Sequence, residues 1–282
     1  MEYITLNNGT KAPLAGIGTF LMSPVDAEEA VYNALTNGYR LIDTANAYMN
    51  ERAVGRGMKR SGIAREEIYL ATKLWPSVYA EADKAIDETL ARLDTDYIDL
   101  LFLHQPVGDY IGAYKAMERA VKAGKVKSLA LSNFPIEQIK EVMDTCEIAP
   151  AFIQAETHPY FPQTELKAYL DTIGAHIMAW YPLGHGDKNL VNEPVFTELG
   201  KKYGKSNAQI ILRWHTQVGN VVIPGSRNVD HIRDNIDIFD FTLTNEELAS
   251  IAKVDNGQRY YQASEEALAG YLAFAPDFNE QE

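Results

Sequence analysis

Residues 98 to 104 read Ile98-Asp99-Leu100-Leu101-Phe102-Leu103-His104, a mostly apolar run the length of one β-strand that ends on an imidazole. Such a run, flanked by polar residues, suits a strand buried on both faces, as in a parallel sheet. The arrangement occurs twice more upstream. Arg40-Leu41-Ile42 leads into Asp43, with Tyr48 shortly after, and Tyr69-Leu70-Ala71-Thr72 leads into Lys73. A carboxylate, a phenol, an amine and an imidazole therefore stand just past predicted strands in three consecutive strand-helix units. In (β/α)8 barrels the reactive groups come from the C-terminal ends of several strands, where rigid backbone aims them at one mouth.

Working outward, apolar runs alternate with helix-period segments along the rest of the chain. The runs are Leu14 to Ile17, Arg40 to Ile42, Ile68 to Thr72, Ile98 to Leu103, Val126 to Leu131, Phe152 to Ala155, His176 to Ala179 and Val221 to Ile223. Eight βα units predict an α/β fold, a (β/α)8 TIM barrel. The 282 residues are near the roughly 250 typical of that fold, and no composition shift or low-complexity linker divides them, so residues 1–282 are expected to form one domain. Asp26 with Glu29, Ser206 with Gln209 and Thr244 with Glu247 match the reciprocal capping box and mark helix starts. Tyr3 to Leu6, the turn Asn7-Asn8-Gly9 and Thr10 to Pro13 predict an N-terminal β-hairpin that closes the bottom of the barrel. After the eighth unit come a helix from about Thr244 to Val254 and a C-terminal tail carrying Tyr260, Tyr261, Tyr271, Phe274 and Phe278, expected to pack over the outside or the mouth.

Composition narrows the function classes. A net charge of -13 offers no basic face for a phosphate backbone, so no nucleic-acid partner is expected. No apolar run can span a bilayer, which argues against a membrane partner. The single cysteine, Cys146, excludes an internal disulfide, and the start MEYITLNNGTK has no apolar signal stretch, so the expected location is cytoplasmic. Gly200 to Ser206 resembles a phosphate-binding P-loop, yet Leu199 stands where its first glycine belongs; Gly204 suits a helix C-cap and Ser206 the next N-cap. Gly16-Ile17-Gly18 and Gly55-Arg56-Gly57 lack the third glycine of the Rossmann fingerprint. The histidines at 104, 158, 176, 185, 215 and 231 form no HxxxH pair, so no metal is expected. The absence of a G-x-S-x-G elbow removes a hydrolase role for Ser132.

Singly, Asp43 could be a helix cap, Lys73 a snorkelling surface residue and His104 a core histidine. Jointly, three such residues on consecutive strand ends point into one mouth. The chemistry they fit is carbonyl reduction. As hydride adds to a carbonyl carbon, charge develops on oxygen, and a nearby acid and fixed dipoles lower the barrier. Tyr48 would deliver the proton. A phenol titrates at roughly 10, and Lys73 as an adjacent ammonium is expected to lower that value. Asp43 would keep Lys73 charged and aimed, and His104, as a neutral donor, would orient the carbonyl oxygen.

These residues resemble those of the aldo-keto reductases. Gly38-Tyr39-Arg40-Leu41-Ile42-Asp43-Thr44-Ala45-Asn46-Ala47-Tyr48-Met49-Asn50-Glu51 is similar to the family's first signature, with Asp43 and Tyr48 in its catalytic places. Thr72-Lys73-Leu74-Trp75 and Leu103-His104 match the sites of the catalytic lysine and histidine, and the resemblance extends through Ser132-Asn133-Phe134, Gln154 and Ile223-Pro224-Gly225-Ser226. Bacterial 2,5-diketo-D-gluconate reductase-like members are the most similar in appearance. The resemblance implies a barrel that binds NADPH across its mouth without a Rossmann fold and reduces aldehydes and ketones. It places Ser132, Asn133 and Gln154 on the nicotinamide carboxamide and Trp180 where a tyrosine usually stacks on that ring. Gly18, Thr19 and Leu183 join them as cofactor contacts. At the adenosine end Gly225 stands in place of a lysine and His231 in place of an arginine, which leaves Ser226, Arg227 and Arg233 as phosphate partners and NADH as an alternative to NADPH. Asp234 and Asn235 match adenine-contacting positions. Phe20, Trp75 and the tail's aromatics are expected to wall a substrate pocket with Tyr48 and His104 on its floor. The expected partner is a small carbonyl substrate, and the expected state a monomer or weak oligomer. Two other readings stay open on sequence: a dinucleotide-binding regulatory barrel subunit without turnover, and an aldolase-like barrel using Lys73 as a Schiff-base nucleophile.

Overall fold

The alternating apolar runs form strands buried on both faces. The structure, a computed structural model, describes residues 1–282. An antiparallel hairpin, β1 (Tyr3–Thr5) and β2 (Lys11–Pro13), precedes eight parallel strands. These are β3 (Gly16–Gly18), β4 (Leu41–Asp43), β5 (Tyr69–Leu74), β6 (Ile98–Leu103), β7 (Val126–Ser132), β8 (Phe152–Glu156), β9 (His176–Trp180) and β10 (Val221–Val222). They pair in chain order, and a parallel bridge between Ala15 and Val222, with the Val222 amide donating to the Leu14 carbonyl at 3.0 Å, joins last to first. The hairpin lies across the N-terminal strand ends: Asn8 Nδ2 donates to the Lys127 carbonyl and Ser128 Oγ, and Asn7 Nδ2 to the Pro150 carbonyl.

Helices α1 (Pro24–Thr36), α2 (Glu51–Ser61), α3 (Ala82–Leu93), α4 (Tyr110–Lys122), α5 (Ile136–Met143) and α6 (Thr164–Ile173) follow β3 to β8 in turn. Short α7 (Lys188–Val191) and α8 (Pro194–Tyr203) lead to α9 (Asn207–Gln217), and α10 (Val229–Ile236) follows β10. Then come α11 (Asn245–Ile251) and α12 (Glu265–Ala273). Ser206 with Gln209 and Thr244 with Glu247 form both halves of their capping boxes. Gly204 ends α8 at φ 66°, the left-handed conformation a C-cap glycine adopts readily. Asp26 does not cap α1. The helix starts earlier, at Pro24, whose missing N–H is no loss in the first turn; Ser23 Oγ accepts from the Asp26 amide at 3.2 Å. Helix α12, capped by Ser264, was not expected within the tail.

Pleat decides which residues face inward, because successive side chains of a strand point to opposite faces. Leu41, Tyr69, Ala71, Leu100, Phe102, Ala130, Phe152, Met178 and Val221 form one buried cluster inside the barrel. Their neighbours in sequence pack outward: Ile42 and Leu70 against α1 and α2, and Leu101, Leu103, Leu129, Leu131, Ile153 and Ile177 among α3 to α6. Counting two residues on from the innermost inward positions gives Asp43, Lys73, His104, Ser132, Gln154 and Trp180.

A second polar layer ties the tail to the barrel. Glu51, fully buried at the start of α2, accepts from Thr72 Oγ1 at 2.6 Å and from Arg92 Nε at 2.7 Å. Asn50 at the N-cap of α2 makes no side-chain cap; instead Gln281 Oε1 accepts from the Glu51 amide at 2.8 Å. Arg92 also donates to Asn279 Oδ1 at 2.9 Å. Removing one partner of a buried ion pair leaves an unpaired charge, so Arg92→Met should cost about 3–5 kcal/mol by urea unfolding. The double variant Glu51→Met/Arg92→Met should cost less than Arg92→Met alone.

Candidate active site

The polar residues that follow the inward apolar layer meet at the C-terminal mouth. Lys73 Nζ lies 2.7 Å from Asp43 Oδ2, 2.8 Å from the Thr44 carbonyl and 3.2 Å from Tyr48 Oη. These three contacts take all three protons of an ammonium. Gln154 Nε2 donates to the other Asp43 oxygen at 2.9 Å. Tyr48 stands on a short 3₁₀ turn (Asn46–Tyr48) held over β5 by the Trp75 amide, which donates to Asn46 Oδ1 at 3.1 Å. The His104 ring meets Tyr48 edge-on at 5.6 Å and Trp75 at 4.9 Å.

Burial pulls the Lys73 amine down, but the carboxylate of Asp43, helped by Tyr48, outweighs it and holds the ammonium above the ordinary lysine value. Burial raises the Asp43 carboxyl, opposed by Lys73. Burial also pushes the Tyr48 phenol up, and Lys73 pulls against it without prevailing. The expectation that Lys73 sets the direction is therefore corrected: desolvation is the larger effect, and the phenol keeps its proton at rest. Burial, and then Lys73, carry His104 well below 6.5, so its ring is neutral at pH 7.

These groups floor a cavity of about 640 Å³. Its walls include Gly18, Phe20, Trp75, Gln105, Ser132, Asn133, Gln154, Trp180, Leu183, Gly225, Tyr261, Tyr271 and Phe274. Asp43, Tyr48 and His104 reach it, whereas Lys73 sits behind them. A charged, fully bonded amine outside the cavity has no lone pair to offer a carbonyl, which weighs against the Schiff-base reading. Of the seven non-glycine residues with positive φ, four line this cavity: Leu21, Asn133, Tyr181 and His185. Backbone strain of this kind collects at functional sites. A second hollow of about 320 Å³ lies at the opposite strand ends, where Asp99 is already paired with Arg65 and Lys127.

Not every residue singled out in the sequence reaches the cavity. Thr19 is fully buried: its amide donates to the Asp43 carbonyl, its carbonyl accepts from Asn50, and its hydroxyl bonds Thr44 Oγ1 at 2.9 Å. Ser226, Arg227, His231, Arg233, Asp234 and Asn235 lie outside it, on the loop after β10 and on α10. Arg227 reaches back across the cleft to the Leu21 carbonyl and to Asp26 at 3.1 Å. Gly225 has a packing reason: a Cβ there would come 3.0 Å from the Gly18 carbonyl oxygen, so any larger residue crowds β3.

Sequence reasoning passed over Gln105 and Glu156, although both stand at strand ends. Glu156 is buried and clamps the tail: Oε1 accepts from the Tyr260 amide at 2.6 Å and Oε2 from the Tyr261 amide at 3.1 Å, with His158 Nε2 3.0 Å from Oε1. Trp75 Nε1 donates to the Tyr271 carbonyl at 2.8 Å. These two contacts seat Tyr261, Tyr271 and Phe274 over the mouth.

The fold and site define a barrel oxidoreductase. The chain belongs to the aldo/keto reductase family, whose model matches residues 14–256. Morphine 6-dehydrogenase of Pseudomonas putida is 40% identical over 91% of this chain and 92% of its own length. Methylglyoxal reductase DkgA of Salmonella typhimurium is 39% identical over 91% and 94%. A Bombyx mori aldo-keto reductase solved in complex with NADP superposes with a TM-score of 0.87 at 34% identity, covering 93% of this chain and 95% of that one. No helix is long and apolar enough to cross a membrane.

Burial raises the Glu156 carboxyl, but His158 and the two tail amides overcome it and hold it below 4.5. A depressed folded value means the stability is present above the unfolded value and lost as pH falls through the folded one. The tail should therefore loosen on acidification below 4.5, read as faster proteolysis after residue 256. Glu156→Ala should loosen it at neutral pH, at a cost of about 2 kcal/mol for losing hydrogen bonds to a charged acceptor.

Proposed function

We propose that this chain reduces aldehydes and ketones to alcohols with NADPH, Tyr48 acting as the proton donor. The observation that carries the reading is the relay Asp43–Lys73–Tyr48, with contacts of 2.7 and 3.2 Å, ending on a phenol that faces the cavity. The groups around the relay fit a nicotinamide. Ser132 Oγ accepts from Asn133 Nδ2 at 3.2 Å and keeps its own proton to donate, and Gln154 Oε1 is an acceptor, together the complement of a primary carboxamide. Trp180 supplies a flat wall, fixed by its Nε1 donating to Asn133 Oδ1 at 3.0 Å. When bound, the reduced dinucleotide supplies the hydride.

The chain's own residues then govern the oxygen. Neutral His104 has Nδ1 buried without a partner, which leaves Nε2 to donate to the carbonyl oxygen and fix its direction. Tyr48 passes its hydroxyl proton to that oxygen as negative charge builds. Lys73 stabilises the phenolate left behind, and Asp43, itself held by Gln154, keeps the ammonium in place. The aromatic walls exclude water from this exchange. Ser226 and Arg227, on the loop before α10, and Arg233, in its last turn, are the groups assigned to the adenosine phosphate. A guanidinium fork suits that charge, and the exposed pairing of Arg227 with Asp26 is cheap to exchange.

Oxidation of NADPH and of NADH with a panel of small aldehydes tests the reading. Tyr48→Phe should lower kcat by roughly 10²–10⁴-fold, the range for a general acid, with cofactor affinity unchanged. Undiminished turnover in that variant overturns the assignment. Arg227→Ala should lower the NADPH to NADH ratio of kcat/KM about tenfold, the loss of one charge-assisted contact. Binding of both cofactors without oxidation by any carbonyl would make the regulatory reading the better one.

A further inference from the structure

The turn that presents Tyr48 is poorly secured by its own residues. Asn46–Tyr48 is a single 3₁₀ turn, and Met49 after it sits at φ 56°, a left-handed conformation that a residue with a side chain keeps only when its surroundings hold it. Asn50 would ordinarily cap the helix that follows, but its side chain is committed elsewhere. Its Oδ1 accepts from Thr44 Oγ1 at 3.0 Å, and its Nδ2 donates to the Thr19 and Met22 carbonyls at 3.0 and 3.1 Å. The first amides of α2 are therefore left for a partner from outside the helix.

Gln281 is that partner, and it grips both ends of the turn at once. Its Oε1 accepts from the Glu51 amide at 2.8 Å and from the Arg52 amide at 3.4 Å, and its Nε2 donates to the Asn46 carbonyl at 3.4 Å. One planar amide thus spans the chain from Asn46 to Arg52, with Tyr48 between. The side chain is buried, and the segment is anchored before Gln281 is reached: Phe278 is buried and Asn279 Oδ1 accepts from Arg92 Nη1 at 2.9 Å.

The same clamp bears on the distance from Tyr48 to Lys73. Glu51, whose amide Gln281 holds, accepts from Thr72 Oγ1 at 2.6 Å, and Thr72 directly precedes Lys73. The turn bearing Tyr48 and the strand bearing Lys73 are therefore tied to each other through Glu51. Of the three contacts of Lys73, the one to Tyr48 is the longest, 3.2 Å against 2.7 and 2.8 Å, so a small outward shift of the turn takes it beyond hydrogen-bond length.

We propose that Gln281 is a positioning residue for Tyr48: its side-chain amide clamps the turn from Asn46 to Arg52 and so holds the phenol against Lys73 at the floor of the cavity. Gln281 lies outside the cavity walls and acts on the reaction only through Tyr48. The inference rests on the reading of Tyr48 as proton donor.

The test compares the natural protein, Gln281→Met, Tyr48→Phe and the double variant in single-turnover reduction of a small aldehyde with NADPH, a rate that product release does not mask. Gln281→Met should lower this rate roughly 10–100-fold, since displacing a reacting group by about 1 Å costs up to about 10²-fold. The KM for the aldehyde should hold, as should the Kd for NADPH read from quenching of tryptophan fluorescence. In the ligand-free variant, amide hydrogen exchange should quicken over residues 46–52 and not in β5. In the Tyr48→Phe background the same substitution should change the rate no further, which a general loosening of the tail would not produce. Asn279→Ala, which frees the neighbouring tail contact without touching the turn, should keep the natural rate. A natural rate in Gln281→Met, a comparable loss in Asn279→Ala, or a further loss on adding Gln281→Met to Tyr48→Phe overturns the proposal while leaving the proton-donor reading intact. An undiminished rate in Tyr48→Phe overturns both. Should Gln281→Met not fold, a chain ending at Glu280 takes its place in the comparison; failure of that chain to fold makes Gln281 a structural residue and overturns the proposal.

Discussion

A strand can send only every second side chain into a barrel, and this single constraint makes core and active site two ends of one surface. Phe102 and Leu100 fill the interior, and the next inward position on β6 is His104. The same step leads from Ala71 to Lys73, from Ala130 to Ser132 and from Phe152 to Gln154. Close packing below gives the polar layer a hard floor, which is what holds its contacts at hydrogen-bond length. A one-residue slip in any strand would turn its mouth-facing polar residue outward into the helices and an apolar residue into the mouth.

A buried lysine is costly unless its charge is matched, and here the match also defines its role. Two protons of Lys73 are held by Asp43 and the Thr44 carbonyl, so the third is directed at Tyr48. An amine so placed has no free lone pair and is suited to act through its field. The phenol keeps its proton because it is desolvated, and the ammonium makes release of that proton less unfavourable. In the proposed reaction, rest and proton transfer thus draw on opposite influences in the same pair.

The barrel was legible in the sequence because strands buried on both faces read as unbroken apolar runs, and because Asp43, Lys73 and His104 end three of them. What was not legible depended on burial or on distance along the chain. The upward displacement of the Tyr48 phenol depends on how much water it has lost, which a list of neighbours does not give. Thr19 follows a strand as the others do, but its hydroxyl turns into the Thr44–Asn50 network. The start of α1 was misplaced because Ser23 followed by Pro24 outranks Asp26 as a cap signal. Helix α12 had a local sign, Ser264 before two glutamates, obscured by the aromatic residues around it. Gln105 and Glu156 could have been flagged by the rule that found Lys73. The contact of Gln281 with α2 has no local sign at all.

That last contact bears on when the molecule becomes complete. Helix α2 takes its N-terminal cap from a side chain 230 residues further along. During synthesis the early βα units emerge and begin to pack long before that side chain exists, so the helix beside Tyr48 must wait with its first amides open to water. Contacts so distant in sequence form slowly and late. The aromatic wall over the cavity is therefore set in place after the strands that floor it, so a newly made barrel is expected to pass through a stage with a formed floor and an open roof.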